Sequence, residues 1–235
     1  MTSIIVALLI VALCNRQPQR SHTLRVWQSC CHDVVGELVI ADFFIHCMKN
    51  PEANIQGMLS YDELGVWQQA ASALYTLLIS MAIFPAVGVL VVSTSVGSGS
   101  VWTGRLFIPV CGYLLYNAGD LCGRIACSYA PLDVKHERLV LVLSLARTVF
   151  VPLLMLCNAQ PRRHLPVVFP SDVAFVVFMT AFSFTNGYLL SASLMQVSRK
   201  VESYLQERAG FLMTSAMMTG LSIGGFLSAA LVAIL

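Results

Sequence analysis

The sequence predicts an all-α fold, a polytopic bundle of transmembrane helices. Of its 235 residues, 57% are hydrophobic and only 11% are charged, whereas a soluble globular domain carries about 25% charged residues. Five tracts are apolar over the length of about 20 residues that a helix needs to cross the hydrocarbon core of a bilayer. The net charge of +2 is too small to indicate a nucleic-acid partner. A membrane protein that binds no nucleic acid is therefore expected.

The domain boundaries follow the alternation of apolar and polar segments. Residues 3–14 are apolar but too few to cross a membrane, so residues 1–14 are interpreted as the remnant of a preceding transmembrane helix. Residues 15–70 are more polar and are predicted to form a cytoplasmic loop that is partly disordered. Residues 71–235 are predicted to form the five-helix bundle. Its spans are expected at residues 71–92, 105–128, 139–158, 171–196 and 209–235.

The segments between the spans have the composition of turns and loops. STSVGSGS, APLDVKHE and AQPRRHLPVVFP contain the Gly, Ser and Pro that end helices, and QVSRKVESYLQER is strongly polar. Lys and Arg concentrate in the loops on the cytoplasmic side of membrane proteins. With residues 15–70 inside, nine Lys and Arg lie inside and three lie outside. This distribution predicts that the C-terminus is outside.

Four polar residues recur at helical spacing in the second tract, in the segment YLLYNAGDLCGR. Tyr113, Asn117, Asp120 and Arg124 are separated by four, three and four residues, which places them on one face of a helix. Asp120 and Arg124 are close enough to form an ion pair. Because a charge in the centre of a bilayer costs about 2.5–3.5 kcal/mol, such residues usually face one another or a water-filled cavity.

Two interpretations of this face are open. It could be a structural ion pair that joins helices, or a polar lining for a substrate path. In the second case a carboxylate accepts hydrogen bonds from hydroxyl groups, while a guanidinium and an amide donate to carbonyls or ring nitrogens. The ion pair itself adds no net charge, so this interpretation favours a neutral, hydroxyl-rich solute.

Other intramembrane features carry weaker predictions. Gly119 and Gly123, like Gly220 and Gly224, have the spacing that lets a neighbouring helix approach closely. Prolines interrupt the first three tracts at Pro85, Pro109 and Pro152, where helices either kink harmlessly or bend around a cavity. Arg147 is expected to snorkel from the third span to the cytoplasmic surface. Asn186 is interpreted either as a polar helix contact or as an element of a pathway.

The sequence does not favour an enzyme. It contains no GxSxG, HExxH, Walker or dinucleotide-binding motif. No CxxC motif pairs with a second CxxC or with a histidine pair, so neither a metal site nor a cofactor is expected. A membrane enzyme that uses Asp120 as acid or base would need a second carboxylate or a histidine within the spans. The nearest candidate, Asp172, lies at a span edge.

Several segments resemble equilibrative nucleoside transporters. YLLYNAGDLCGR resembles the Asn-x-x-Asp-x-x-Gly-Arg signature of the family's eighth transmembrane helix. MAIFPAVGV is similar to the seventh helix, LARTVFVPLLMLCNAQPRRHLPVVF to the ninth helix with its following loop, and AFSFTNGYLLS to the tenth. The resemblance runs from about residue 71 to residue 235. It implies a major-facilitator-like fold that carries nucleosides, or in some members nucleobases, by alternating access.

The resemblance also implies roles for individual residues. Asp120 and Arg124, with Asn117, would bind the substrate. Tyr113, where the family often has Phe, would line the path near the outer gate together with Phe84 and Pro85. Asn186 is counted with these pathway residues because its segment matches the tenth helix.

The resemblance covers the five-helix half of an eleven-helix transporter. A pathway between two halves cannot be formed by one of them, so the expected partners are a nucleoside, membrane lipid, and either the N-terminal six-helix half or a full-length transporter. The alternative is a truncated, transport-incompetent form that binds or regulates a full-length transporter. The plasma membrane is the expected location, with an intracellular membrane as the alternative.

Overall fold

The computed structural model describes residues 61, 64–84, 86–93, 106–158, 167–169 and 171–234. These residues form helices joined by short connections, with no β-strand among them, which confirms the all-α prediction. The predicted helix remnant at residues 1–14 and most of the predicted loop at residues 15–70 lie outside the described residues. Pro85 lies outside them as well.

Seven α-helices occupy the described part of the chain, and we number them in chain order. They are α1 (Trp67–Ile83), α2 (Ala86–Leu90), α3 (Leu115–Tyr129), α4 (Glu137–Ala146), α5 (Phe150–Met155), α6 (Asp172–Lys200) and α7 (Gln206–Ile234). A π-helical segment leads into α3, and 3-10 turns precede α4, α5 and α7. These are Ile108–Leu114, Val134–His136, Arg147–Val149 and Ser203–Leu205.

Helices occupy all five predicted tracts, and four helical stretches of the described residues are long and apolar enough to cross a membrane. These are Trp67–Gly88, Val134–Met155, Asp172–Lys200 and Ser203–Ile234. The second predicted tract, which contains α3, is not among them. It carries Asn117, Asp120 and Arg124, whose polarity offsets its apolar residues. The polytopic helical bundle is thus confirmed, while the count of five spans stays a prediction.

Helices α1 and α6 form the centre of the bundle. Helix α1 contacts α4, α6 and α7, and α3 packs along α6. One apolar cluster includes Ile83, Met179 and Phe182, which are fully buried between these elements. A second cluster joins α1 to α6 and α7 around Ala73 and Met213. The polar face of α3 is therefore held against the middle of α6.

The closest helix contact joins α3 to α6 through glycines on both helices. A Cβ atom at Gly119 or Gly123 would collide with Ser183 or with the backbone of Phe184. A Cβ at Gly187 would collide with the carbonyl of Asp120. These contacts confirm the close approach predicted from the spacing of the first two glycines, because only a residue without a side chain leaves room for the opposing backbone.

The second predicted glycine contact is also confirmed. Gly220 and Gly224 on α7 face the carbonyl groups of Leu74 and Leu78 on α1. These contacts hold α7 closely along α1.

The third tract is interrupted one turn before Pro152. Helix α4 ends at Ala146, a 3-10 turn spans Arg147–Val149, and α5 contains the proline. Proline has no backbone N–H and cannot donate to the carbonyl four residues earlier, at Thr148. The break matters because Arg147 is the first residue of this tightened turn.

We predict that the α3–α6 contact tolerates no added methyl group. Gly123→Ala and Gly187→Ala should each lower the free energy of unfolding by about 1–3 kcal/mol, since a rigid backbone faces the new Cβ. The measurement is the thermal unfolding of the detergent-solubilised chain. Gly210→Ala is the matched control: nothing lies within 4 Å of its Cβ position, so it should be neutral or slightly stabilising. Equal behaviour of all three variants would contradict the close packing.

Candidate functional site

The ion pair predicted on α3 is formed. Arg124 Nε donates to Asp120 Oδ2 over 2.8 Å, and the exposed fractions of the two side chains are 47% and 18%. Among the described residues the Arg124 side chain makes no other hydrogen bond. Its terminal nitrogens therefore remain available as donors, and the pair lies at the open edge of the bundle.

Asn186 of α6 binds the second oxygen of the same carboxylate. Its Nδ2 donates to Asp120 Oδ1 over 2.7 Å, while the residue itself is buried. Each carboxylate oxygen thus accepts one hydrogen bond within the protein and has a lone pair for another. Asn186 therefore makes a polar contact between α6 and α3, as one of the two interpretations of this residue predicted. Its partner in that contact is Asp120, the central residue of the candidate site.

Arg147 is the residue for which the sequence-based expectation is wrong. Its relative exposure is 2%, so it does not snorkel to the surface. The 3-10 turn directs it inward between α1 and α6, where its two terminal nitrogens donate four hydrogen bonds. The acceptors are Thr76 O at 3.2 Å, Asn186 Oδ1 at 3.1 Å, Ser80 Oγ at 3.1 Å and Phe182 O at 3.2 Å.

The environment of Arg147 changes the charge of the site. Its guanidinium carbon lies 4.7 Å from the centroid of the Phe182 ring, a cation–π contact, and all four of its acceptors are uncharged. Asn186 connects it to Asp120. We use the term polar network for the hydrogen-bonded chain that runs from Arg124 through Asp120 and Asn186 to Arg147. It therefore contains two cations and one anion. The ion pair is neutral, as predicted, but the network has a net charge of +1.

The sequence contained a signal for the burial of Arg147. Eight residues of the predicted span precede it, at positions 139–146, and apolar residues also follow it. Snorkelling requires a position near the end of a helix. An arginine in the middle of an apolar tract is expected to find partners inside the protein.

An aromatic cluster lies beside the polar network. Phe84 stacks on Tyr116, with ring centroids 4.0 Å apart and an interplanar angle of 9°, and meets Tyr113 edge to face at 5.2 Å. The structure thus brings together Phe84 and Tyr113, two of the predicted pathway residues. It adds Tyr116, which also contacts Phe182. Tyr116 is three residues after Tyr113 and four before Asp120, a spacing that could have identified it.

Asn117 does not join the polar network among the described residues. Its Nδ2 donates to the backbone carbonyl of Tyr113, one turn earlier on the same helix, over 2.8 Å. Its role in substrate binding stays a prediction. Pro85, the remaining predicted gate residue, lies outside the described residues.

The arrangement suits recognition of an uncharged polar molecule. It offers a carboxylate with free acceptor capacity, guanidinium donors and stacked aromatic rings within one face of α3 and the facing parts of α1 and α6.

Comparisons with known proteins identify the family. Residues 64–233 match the sequence profile described as Nucleoside transporter. The chain is 43% identical over 159 residues to equilibrative nucleoside transporter 1 of Homo sapiens, covering 68% of this chain and 34% of that protein.

Further relatives give the same result. The chain is 37% identical over 163 residues to equilibrative nucleoside transporter 2 of Homo sapiens, covering 69% of this chain and 35% of that protein. It is 34% identical over 160 residues to equilibrative nucleoside transporter 3 of Rattus norvegicus, with coverages of 68% and 34%. The chain thus spans about a third of the length of the curated relatives it matches. These relatives are transporters, which confirms that the chain belongs with transporters rather than with enzymes.

We predict that Tyr116 stabilises the bundle through the aromatic cluster. Tyr116→Ala should lower the free energy of unfolding by about 3 kcal/mol or more, because it removes a large side chain packed against two rings. Tyr129→Ala, on the same helix but with 86% of the residue exposed, should change it by less than about 0.5 kcal/mol. Thermal unfolding in detergent compares the two. Similar losses for both variants would contradict the assignment.

Proposed function

The chain belongs to the nucleoside transporter family, and from this premise we propose that it takes part in facilitative transport of nucleosides across a membrane. It would supply the five-helix part of the pathway, and a second part of the transporter would complete it. The observation that carries the proposal is the Asp120 carboxylate. It is held between Arg124 and Asn186, yet its side chain is still 18% exposed.

Asp120 is suited to recognise the sugar of a nucleoside. A ribose presents hydroxyl donors, and each oxygen of the carboxylate can accept one more hydrogen bond. The two protein donors fix the orientation of the carboxylate before a substrate arrives. Fixing the acceptor in advance lowers the entropy that binding must overcome.

Arg124 and the aromatic cluster are suited to recognise the base. The Arg124 terminal nitrogens can donate to carbonyl oxygens or ring nitrogens, which both purines and pyrimidines carry. Phe84 and Tyr113 provide ring faces and edges against which a planar base can pack. Asn117 is proposed to accept a hydrogen bond from the substrate at its amide oxygen, since its Nδ2 already donates to the helix backbone.

The exposure of Arg124 supports a partner on this face. A half-exposed guanidinium would face hydrocarbon if the bundle were alone in a bilayer, and a charge at that depth is unfavourable by about 2.5–3.5 kcal/mol. We propose that the N-terminal six-helix half of a transporter covers it and forms the opposite wall of the pathway. Rocking of the two bundles around the site would then expose the substrate to each side in turn, without covalent chemistry.

The membrane and the orientation are part of the same proposal. The distribution of Lys and Arg supports a C-terminus outside, and the plasma membrane is the proposed location. A transport-incompetent form that regulates a full-length transporter is the alternative outcome of the experiment below.

We predict that uptake depends on both members of the ion pair. In cells without endogenous nucleoside transport, the chain expressed with the N-terminal six helices of a relative should take up labelled uridine. Asp120→Asn and Arg124→Lys should each reduce uptake per expressed molecule about tenfold or more, because each weakens a charge-assisted hydrogen bond to the substrate.

Two matched variants control for general effects of these changes. Asp133→Asn retains the ability to cap the 3-10 turn, where Asp133 accepts from the Val134 N–H, and Arg138→Lys lies at the exposed start of α4. Both should transport normally. Absence of uptake, together with co-purification of a full-length relative, would support the regulatory alternative instead.

A further inference from the structure

Arg147 is a buried cation that contacts no carboxylate directly among the described residues, and the ion pair on α3 does not explain why it is there. Its four Nη hydrogens bind uncharged acceptors from α1 and α6. The anion connected to it through a single side chain is Asp120, by way of Asn186. A buried charge is retained at a high cost in solvation, so its position is expected to have a consequence for the groups around it.

The Asn186 side chain is oriented from both ends. Arg147 Nη1 can only donate, so the atom 3.1 Å away must be the amide oxygen. The Ser80 hydroxyl lies 2.6 Å from the same oxygen. With the oxygen fixed on this side, the amide nitrogen of Asn186 must face Asp120, where it donates to Oδ1 over 2.7 Å.

Asp120 is therefore held by a chain of two directed hydrogen bonds that begins at a cation outside the candidate substrate path. Arg124 holds the other oxygen, but its side chain is half-exposed and lies on the same helix as Asp120. Arg147 is locked by four hydrogen bonds and by the Phe182 ring. The rigid support of the carboxylate thus comes from the buried side of the network.

We propose that Arg147 is a positioning residue for nucleoside binding, acting through Asn186 to fix the Asp120 carboxylate in its accepting orientation. This inference rests on the proposed function and adds a residue that does not itself face the pathway. A lysine cannot replace it, because one ammonium nitrogen on a flexible stem cannot reach acceptors that the planar guanidinium reaches in two directions.

The test measures the KM and the maximal rate of uridine uptake for two variants, with the amount of protein at the membrane determined for each. Arg147→Lys removes the fixed donor. Asn186→Asp keeps an acceptor oxygen for Arg147 and Ser80. It replaces the amide donor to Asp120 Oδ1 by a second carboxylate, which disturbs the accepting form of Asp120 through repulsion or a shared proton. Each variant should raise KM about tenfold or more, with a smaller change in the maximal rate per molecule.

The double variant tests whether the two residues act along one chain, and a buried control separates positioning from a merely structural role. If both residues act along one chain, the rise in KM for the double variant should be clearly smaller than the product of the two single effects. Ser144→Ala is the matched control. Ser144 is fully buried and bonds to hydroxyls of α1, so its removal should lower thermal stability without changing KM.

Two results would overturn the inference, and they can be told apart. If Asp120→Asn abolishes uptake while Asn186→Asp and any Arg147→Lys protein that reaches the membrane keep the KM of the unmodified chain, only the positioning role fails. If uptake does not depend on Asp120 at all, the proposed function fails and the inference fails with it.

Discussion

The hydrogen bond from Asn186 to Asp120 joins the buried part of the polar network to the ion pair on α3. The positions of the groups around this bond follow from the requirement that each buried polar group finds a partner. On one side of this bond lies Arg147, buried and surrounded by uncharged acceptors. On the other side lies the ion pair of α3, at the open edge of the bundle. The bond can form only because glycines at the α3–α6 contact let the two backbones approach closely. The geometry of the site therefore depends on the close packing of α3 against α6.

Hydroxyl groups extend this principle through the centre of the bundle. Ser72 Oγ of α1 lies 2.6 Å from Ser144 Oγ of α4. Ser193 Oγ of α6 donates to Ser72 Oγ over 3.1 Å. All three serines are fully buried. In a bilayer the hydrophobic effect does not favour contact between helices over contact with lipid, so packing of small residues and interhelical hydrogen bonds stabilise the assembly. The serines do this without charge, whereas the one buried cation of the described residues, Arg147, lies at the level of Asn186.

This division gives the proposed transporter a rigid wall and an open face. The rigid wall consists of Arg147, Asn186 and the aromatic rings of Phe182 and Tyr116, whose contacts are internal. The open face presents Asp120 and Arg124. Alternating access requires that a substrate site stay intact while bundles move around it. A carboxylate anchored from within one bundle would keep its orientation during such a movement, whereas one anchored across the moving interface would not.

The sequence by itself determined the features that depend on spacing along one helix. These include the membrane tracts, the shared face of Asp120 and Arg124, and the glycine pairs, because residues three or four apart in a helix are neighbours whatever the rest of the fold does. Spacing along one helix also places Gln69, Ser72, Thr76 and Ser80 on a shared polar face of α1. Only the tertiary structure decided which partners meet across helices. The position of Arg147 within an apolar tract indicates that it is buried, but its contact with Asn186 depends on the direction of a 3-10 turn and on the distance between α1 and α6. Neither is encoded in the neighbours of Arg147 along the chain.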